Sequence, residues 1–193
     1  MDKENQTIAL ERSHELVWSG FYSVDEIVES ITETVFWSGE LEADWLRNQV
    51  MGQFREKLAA EKSWPKVTDC DRLDKGLDSL RMQGIVVLQN AGYTQSDGID
   101  DVAELYHEAG GELSDIKGYC FYHGQDLARV VATGELWLSF GDIIGTDQKG
   151  IEIGERIIKV LKSCDLNIEW DGSIETRLLV KGIRWQRRQK SVE

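Results

Sequence analysis

Apolar residues recur every four positions in two stretches near the start of the chain: Ile27, Ile31 and Val35, then Leu46, Val50, Phe54 and Leu58. That spacing lines one side of a helix. Ser23 with Glu26 three residues on has the form of a capping box, and Tyr22 and Ile27 stand where a hydrophobic staple would. The second helix is expected from about Leu41 to Ala60. Trp64-Pro65 then interrupts, because proline disfavours helix at the residue before it. Thr68 and Asp71 signal a new N-terminus, and Leu73, Leu77 and Leu80 carry a helix to about Gln83. Gly84 ends it, a common use of glycine.

Beyond Gly84 the pattern becomes strand–helix alternation. Ile85–Leu88, Tyr119–Tyr122, Leu136–Phe140, Leu166–Trp170 and Leu178–Ile183 read as strands, from their β-branched and aromatic runs. Helices are expected around Val102–Ala109, Gln125–Ala132 and Ile151–Leu161. Asp171-Gly172 is turn chemistry that returns the last strand antiparallel. The fold class expected is α/β: residues 1–63 form a helical N-terminal region, and residues 64–193 an α/β domain. Its sheet should be mixed and mostly parallel, with right-handed crossovers and an antiparallel edge strand.

Polar residues collect after three of these strands. Gln89–Asp97 follow the first, His123–Asp126 the second, and Ser139, Gly141 and Asp142 close the third. If the strands are parallel, the three ends share one rim, where open α/β sheets bind ligands because helix N-termini and loop N–H groups point there. Asn90, Thr94, Asp97, His123 and Asp126 are the ligand-binding candidates on that reading. His123 is also a candidate general base, with Asp126 or Asp97 orienting its imidazole. The plainer use is structural: His123 ends a strand, while Gln125 and Asp126 supply acceptors and negative charge to a helix's first turn. The absence of G-x-S-x-G, H-E-x-x-H and Walker patterns favours the plainer use.

The net charge of −13 over 193 residues opposes phosphate-backbone binding, which needs a basic surface. It suits a basic protein partner, or simply solubility through self-repulsion. Lys181, Arg184, Arg187, Arg188 and Lys190 make a basic tail, opposed after Lys181 only by Glu193 and expected to dock on the chain's own carboxylates. Cys70, Cys120 and Cys164 form no C-x-x-C pair, which fits a reducing cytoplasm and neither a disulfide framework nor a zinc site. Cys120, within an aromatic strand, reads as a buried thiol. Asp69, Asp71 and Asp74 lack the rest of a calcium loop. Asp71 and Asp74 share a helix face, Asp69 near the first turn favours the dipole, and capping is the plainer use. No metal or cofactor is implied. The start, MDKENQTIALE, is too polar for a signal peptide, and no run approaches the roughly 18 apolar residues of a membrane helix.

Several linked segments, WPKVTDCDRL, GIVVLQNAGYTQSDG, GYCFYHGQDL, LWLSFG and EWDG, resemble a bacterial family of unknown function over roughly residues 64–188. GFYSVDEI near the N-terminus matches more loosely. The resemblance implies no activity and transfers no catalytic residues. Some relatives carry a cysteine-rich segment where this chain has Gln89–Asp97, which contains no cysteine, so no zinc role carries over. The expectation is an acidic cytoplasmic protein that binds or regulates a partner without catalysis, of an inhibitor or immunity type. The alternative is a small enzyme or small-ligand receptor with a strand-end cleft around His123.

Overall fold

Ser23 starts its helix as its side chain dictates: Oγ accepts the Glu26 N–H at 3.3 Å, and the Glu26 carboxylate accepts the Ser23 N–H at 2.7 Å. The computed structural model describes residues 3–35 and 41–189, which fall into two units. The first holds the described residues up to Thr68 together with those from Trp185 onward, and the second is Asp69–Arg184.

In the first unit, α1 (Lys3–Ser19), α2 (Val24–Ser30) and α3 (Ala43–Glu61) surround a core of Leu16, Val17, Ile27, Ile31, Leu46 and Val50. A π-helical turn, Ile31–Val35, extends α2; the Val35 side chain lies outside the described residues. The expected stripe of α3 holds through Phe54, which packs against this core, and then shifts. Leu58 is half exposed, and Lys57 is buried in its place. Its Nζ donates to the Val17 carbonyl at 3.0 Å, which makes burial of the ammonium tolerable.

The tail from Trp185, assigned above to the α/β part, belongs with this helical unit. The Trp185 indole N–H donates to the Ser19 carbonyl at 3.0 Å, and Arg188 donates to the Pro65 carbonyl at 2.7 Å. The Arg187 guanidinium lies 4.7 Å from the Phe21 ring centroid. The expected docking on carboxylates holds for Lys181, whose Nζ donates to Glu169 Oε1 at 3.0 Å. Arg187 and Arg188 also use an aromatic face and a carbonyl, a mode open to arginine because its cation is planar and weakly hydrated. Lys190 and Glu193 lie outside the described residues.

The second unit contains α4 (Asp69–Arg81), β1 (Ile85–Gln89), α5 (Gln95–Glu108), β2 (Gly118–Tyr122), α6 (Gly124–Thr133), β3 (Glu135–Asp142), α7 (Asp147–Ser163), β4 (Ile168–Glu169) and β5 (Leu178–Lys181). The strands form one mixed sheet in the order β1-β2-β3-β5-β4. Mixed is right, but mostly parallel is not: β1 and β2 pair in parallel, whereas β2–β3, β3–β5 and β4–β5 are antiparallel. The cause is the connection from β2 to β3. After α6, Gly134 (φ 73°) is the only residue before β3, and its N–H still bonds back to Val130. So short a link gives α6 no path back to the start of β2. The chain enters β3 at the end where β2 finishes, with Glu135 beside Lys181.

The strand alternation sorts side chains between two layers. Gly118, Cys120 and Phe140 face α7, where Gly118 meets Ile153 and Gly154 meets Phe140. Val86, Leu88, Tyr119 and Phe121 lie on the other face, packed with Val102 of α5. α5 approaches closely because it has Gly98 there: a Cβ at that position would stand 2.3 Å from the Phe121 ring. No helix among the described residues is long and apolar enough to cross a membrane.

Candidate functional site

Because β1 and β2 are parallel, with Gln89 beside Tyr122, Asn90 and His123 emerge side by side on one rim. The third expected contributor does not. β3 runs the other way, so Gly141 and Asp142 lie opposite Tyr119 and Gly118, at the far rim.

On the shared rim the polar groups are used by the backbone. The Ala91 N–H donates to the Tyr122 carbonyl at 2.9 Å, and the Gly124 and Gln125 N–H groups donate to the carbonyls of Gly92 and Tyr93 at 3.0 and 3.2 Å. These last two are the opening donors of α6, which an anion at that helix end would need. α5 is closed in the same way. Asp97 accepts from the Tyr93 and Thr94 N–H groups at 3.0 and 2.8 Å, while Thr94 Oγ1 accepts from Asp97 N–H at 3.4 Å. The Thr94 N–H bond, with that of Tyr93, lowers the Asp97 pKa. Asn90 takes a left-handed conformation, φ 57°, at the turn between β1 and this capped loop.

Asp126 is wholly buried at the third position of α6. Its carboxylate accepts the His123 backbone N–H at 3.3 Å and stands 3.1 Å from His123 Nε2. Arg129 donates to it at 3.2 Å, and Arg177, just before β5, donates to its other oxygen. The same Arg177 Nη2 also donates to the Trp137 carbonyl at 3.0 Å. A buried carboxylate is thus paired and hydrogen-bonded, which is what its desolvation requires. His123 is only 4% exposed. Burial pushes its pKa below the ordinary 6.5, against the pull of Asp126 and with help from Arg177 and Arg129. Burial thus favours the uncharged ring, which is packed under the rim. The five expected site residues are brought together, and each described bond of Thr94, Asp97, His123 and Asp126 serves the local backbone or the buried cluster.

Two features escaped the reading of the sequence. Arg177 completes the Asp126 cluster from 51 residues away, with no local signal. The other is a stripe on α5. From Met82 to Ile116 there is no Lys or Arg, and the seven charged residues are Asp97, Asp100, Asp101, Glu104, Glu108, Glu112 and Asp115. The first five are spaced at three, four and seven residues, so they share one side of α5. The helix buries only Gly98 and Val102 and leaves Ile99 and Leu105 exposed, with Leu113 fully out just beyond. The spacing was legible: Thr94 and Asp97 form a capping box that starts the helix seven residues earlier than expected.

No curated protein and no solved structure matches the chain. The model of one family, described as a domain of unknown function, DUF6891, matches residues 2–189, across both units. With nearly the whole length covered, the chain belongs to the DUF6891 family.

Proposed function

We propose that this protein is a non-enzymatic binding protein that holds a basic protein partner against the acidic stripe of α5. The observation that carries this reading is the stripe itself. Asp97/Asp101, Asp100/Glu104 and Glu104/Glu108 are like charges four apart, each costing a helix about 0.2–0.5 kcal/mol. A helix so little covered by its own domain gains nothing from that repulsion, whereas an incoming cationic surface would relieve it. Exposed Leu105, four residues from Asp101 on α5, and Leu113 just beyond the helix supply apolar surface near the charge, and mixed patches of this kind mark interaction surfaces. Clustered charge of one sign also steers a cationic partner to the site. The closed helix ends and the burial of His123 favour binding over catalysis. An inhibitor or immunity role is one form this binding takes.

The test is affinity capture with the tagged protein at low and at high salt, beside the variant Asp100→Lys/Glu104→Lys. The expected result is a cationic partner retained by the wild type at low salt, released by high salt and absent with the variant. Identical capture by both proteins, or no capture, overturns the reading.

A further inference from the structure

α7 packs on the face of the sheet where Gly118 meets Ile153 and Phe140 meets Gly154. Asp142 stands opposite Gly118 and two residues past Phe140, so its side chain points to that same face. On α7, Lys149, Glu152, Ile153 and Arg156 are spaced at three, four and seven residues and share one side of the helix. That side of α7, with Asp142 and the neighbouring Ile116 and Ile144, lines a cavity of about 310 Å³ that opens to solvent.

The isoleucines make much of the lining apolar: Ile153 is buried, while Ile144 is 72% exposed. The charged groups differ in what they still need. Asp142 is buried, but its Oδ2 already accepts from the Thr146 N–H and Oγ1 at 3.2 and 2.9 Å. Lys149 and Glu152 are exposed, where water serves them. Arg156 is half-buried and has no hydrogen bond or ion pair among the described residues. Glu152 stands four residues before it, the favoured order for a helical ion pair, and no pair forms. A charge drawn partly out of water calls for a partner. A planar guanidinium suits a carboxylate, to which it donates two parallel hydrogen bonds.

The volume sets the size of the occupant. At about 30 Å³ per heavy atom, the share water takes in the liquid, the cavity holds roughly ten such atoms. We infer that this cavity beside α7 binds a small amphiphilic carboxylate with an apolar body of about eight carbons. The body lies on Ile116, Ile144 and Ile153, and the carboxylate takes the Arg156 guanidinium. Lys149, on the same side of α7 and also without an ion pair, adds to the attraction for an anion. An amine would bring a second cation to Arg156, and a neutral chain would leave the guanidinium unpaired. An apolar wall with a few convergent polar groups is the usual make-up of a small-molecule site.

Octanoate, titrated into the whole chain by calorimetry, tests this directly, with octanol, octylamine and acetate as controls. Octanoate should bind. Each control should bind about ten-fold more weakly or not at all, because it lacks the charge, reverses it or lacks the apolar body. Arg156→Gln should bring octanoate down to the level of octanol, a loss of about ten-fold or more. Ile144→Ala should weaken octanoate about three-fold through lost apolar contact and leave Tm unchanged. Arg156 has no bond to the rest of the fold and Ile144 is exposed, so both variants should fold, as their Tm values would show. Absence of octanoate binding overturns the inference. So does octanol or octylamine binding as tightly as octanoate, or unchanged affinity in either variant. The cavity lies on the opposite face of the sheet from α5, so the capture experiment is independent of these outcomes.

Discussion

Arg177 and Asp126, 51 residues apart in the chain, form an ion pair that ties the foot of β5 to the first turn of α6. The carboxylate has no exposure, and the arginine side chain keeps about a quarter of its own (23%). Such a pair adds little over a well-packed apolar substitute, but removing one partner strands the other. Asp126→Ala should cost about 3–5 kcal/mol in urea unfolding, the range for breaking a buried pair. Arg129 is nearly half exposed, so Arg129→Ala should cost less than about 1 kcal/mol. Equal losses from the two would mean that the cluster is not organised around Arg177.

His123 makes stability depend on pH in a definite direction. Burial lowers its pKa below the unfolded value of 6.5. Between those two values the unfolded chain binds the proton and the folded chain does not. The contribution is therefore complete above about pH 6.5 and is lost as pH falls toward the lower, folded pKa. Unfolding free energy should decline from pH 7 to 5 in the wild type, and His123→Asn should flatten that decline. An undiminished slope in the variant would assign it to other groups.

These two residues show how far the candidate site could be read in advance. His123 and Asp126 are three apart on a helix start, so their meeting is local and legible, as is the Asn90–His123 neighbourhood once β1 and β2 are parallel. The sheet beyond β2 was not legible. A strand–helix–strand pattern allows either direction of return, and the choice rested on a one-residue link at Gly134. Arg177 depends on that choice, because only an antiparallel β3 with β5 at its side brings residue 177 under α6. The switch from Leu58 to Lys57 in α3 was hidden for a similar reason. The carbonyl that receives Lys57 belongs to Val17, 40 residues earlier. The helix ends, by contrast, follow from neighbours in the chain, and the Ser23–Glu26 box stands where it was expected.

Cysteine reactivity separates the three thiols. Cys120 has no exposure and burial raises its pKa to about 12; Cys70 is also buried, while Cys164 is half-buried. Thiolate is the reactive form, so a maleimide at pH 7 should label Cys164 first in the native protein. Cys70 and Cys120 should react only after denaturant is added, as peptide mass mapping would show. Native labelling of Cys120 at a rate like that of Cys164 would mean that the β2 strand opens readily.

Glu104 is the residue at which binding and stability should part. It lies four residues from both Asp100 and Glu108, so Glu104→Gln removes two repulsive pairs from an exposed stretch of α5. At about 0.2–0.5 kcal/mol per pair, the isolated variant should be more stable than the wild type by up to about 1 kcal/mol. The gain should shrink as salt rises, because exposed charges are screened over about 8–10 Å at physiological ionic strength. A stabilising change that also weakens capture of a cationic partner would identify the repulsion as a cost kept for binding. If Glu104→Gln instead destabilises the protein, Glu104 makes a favourable contact of its own, and the like-charge argument for α5 fails at its centre.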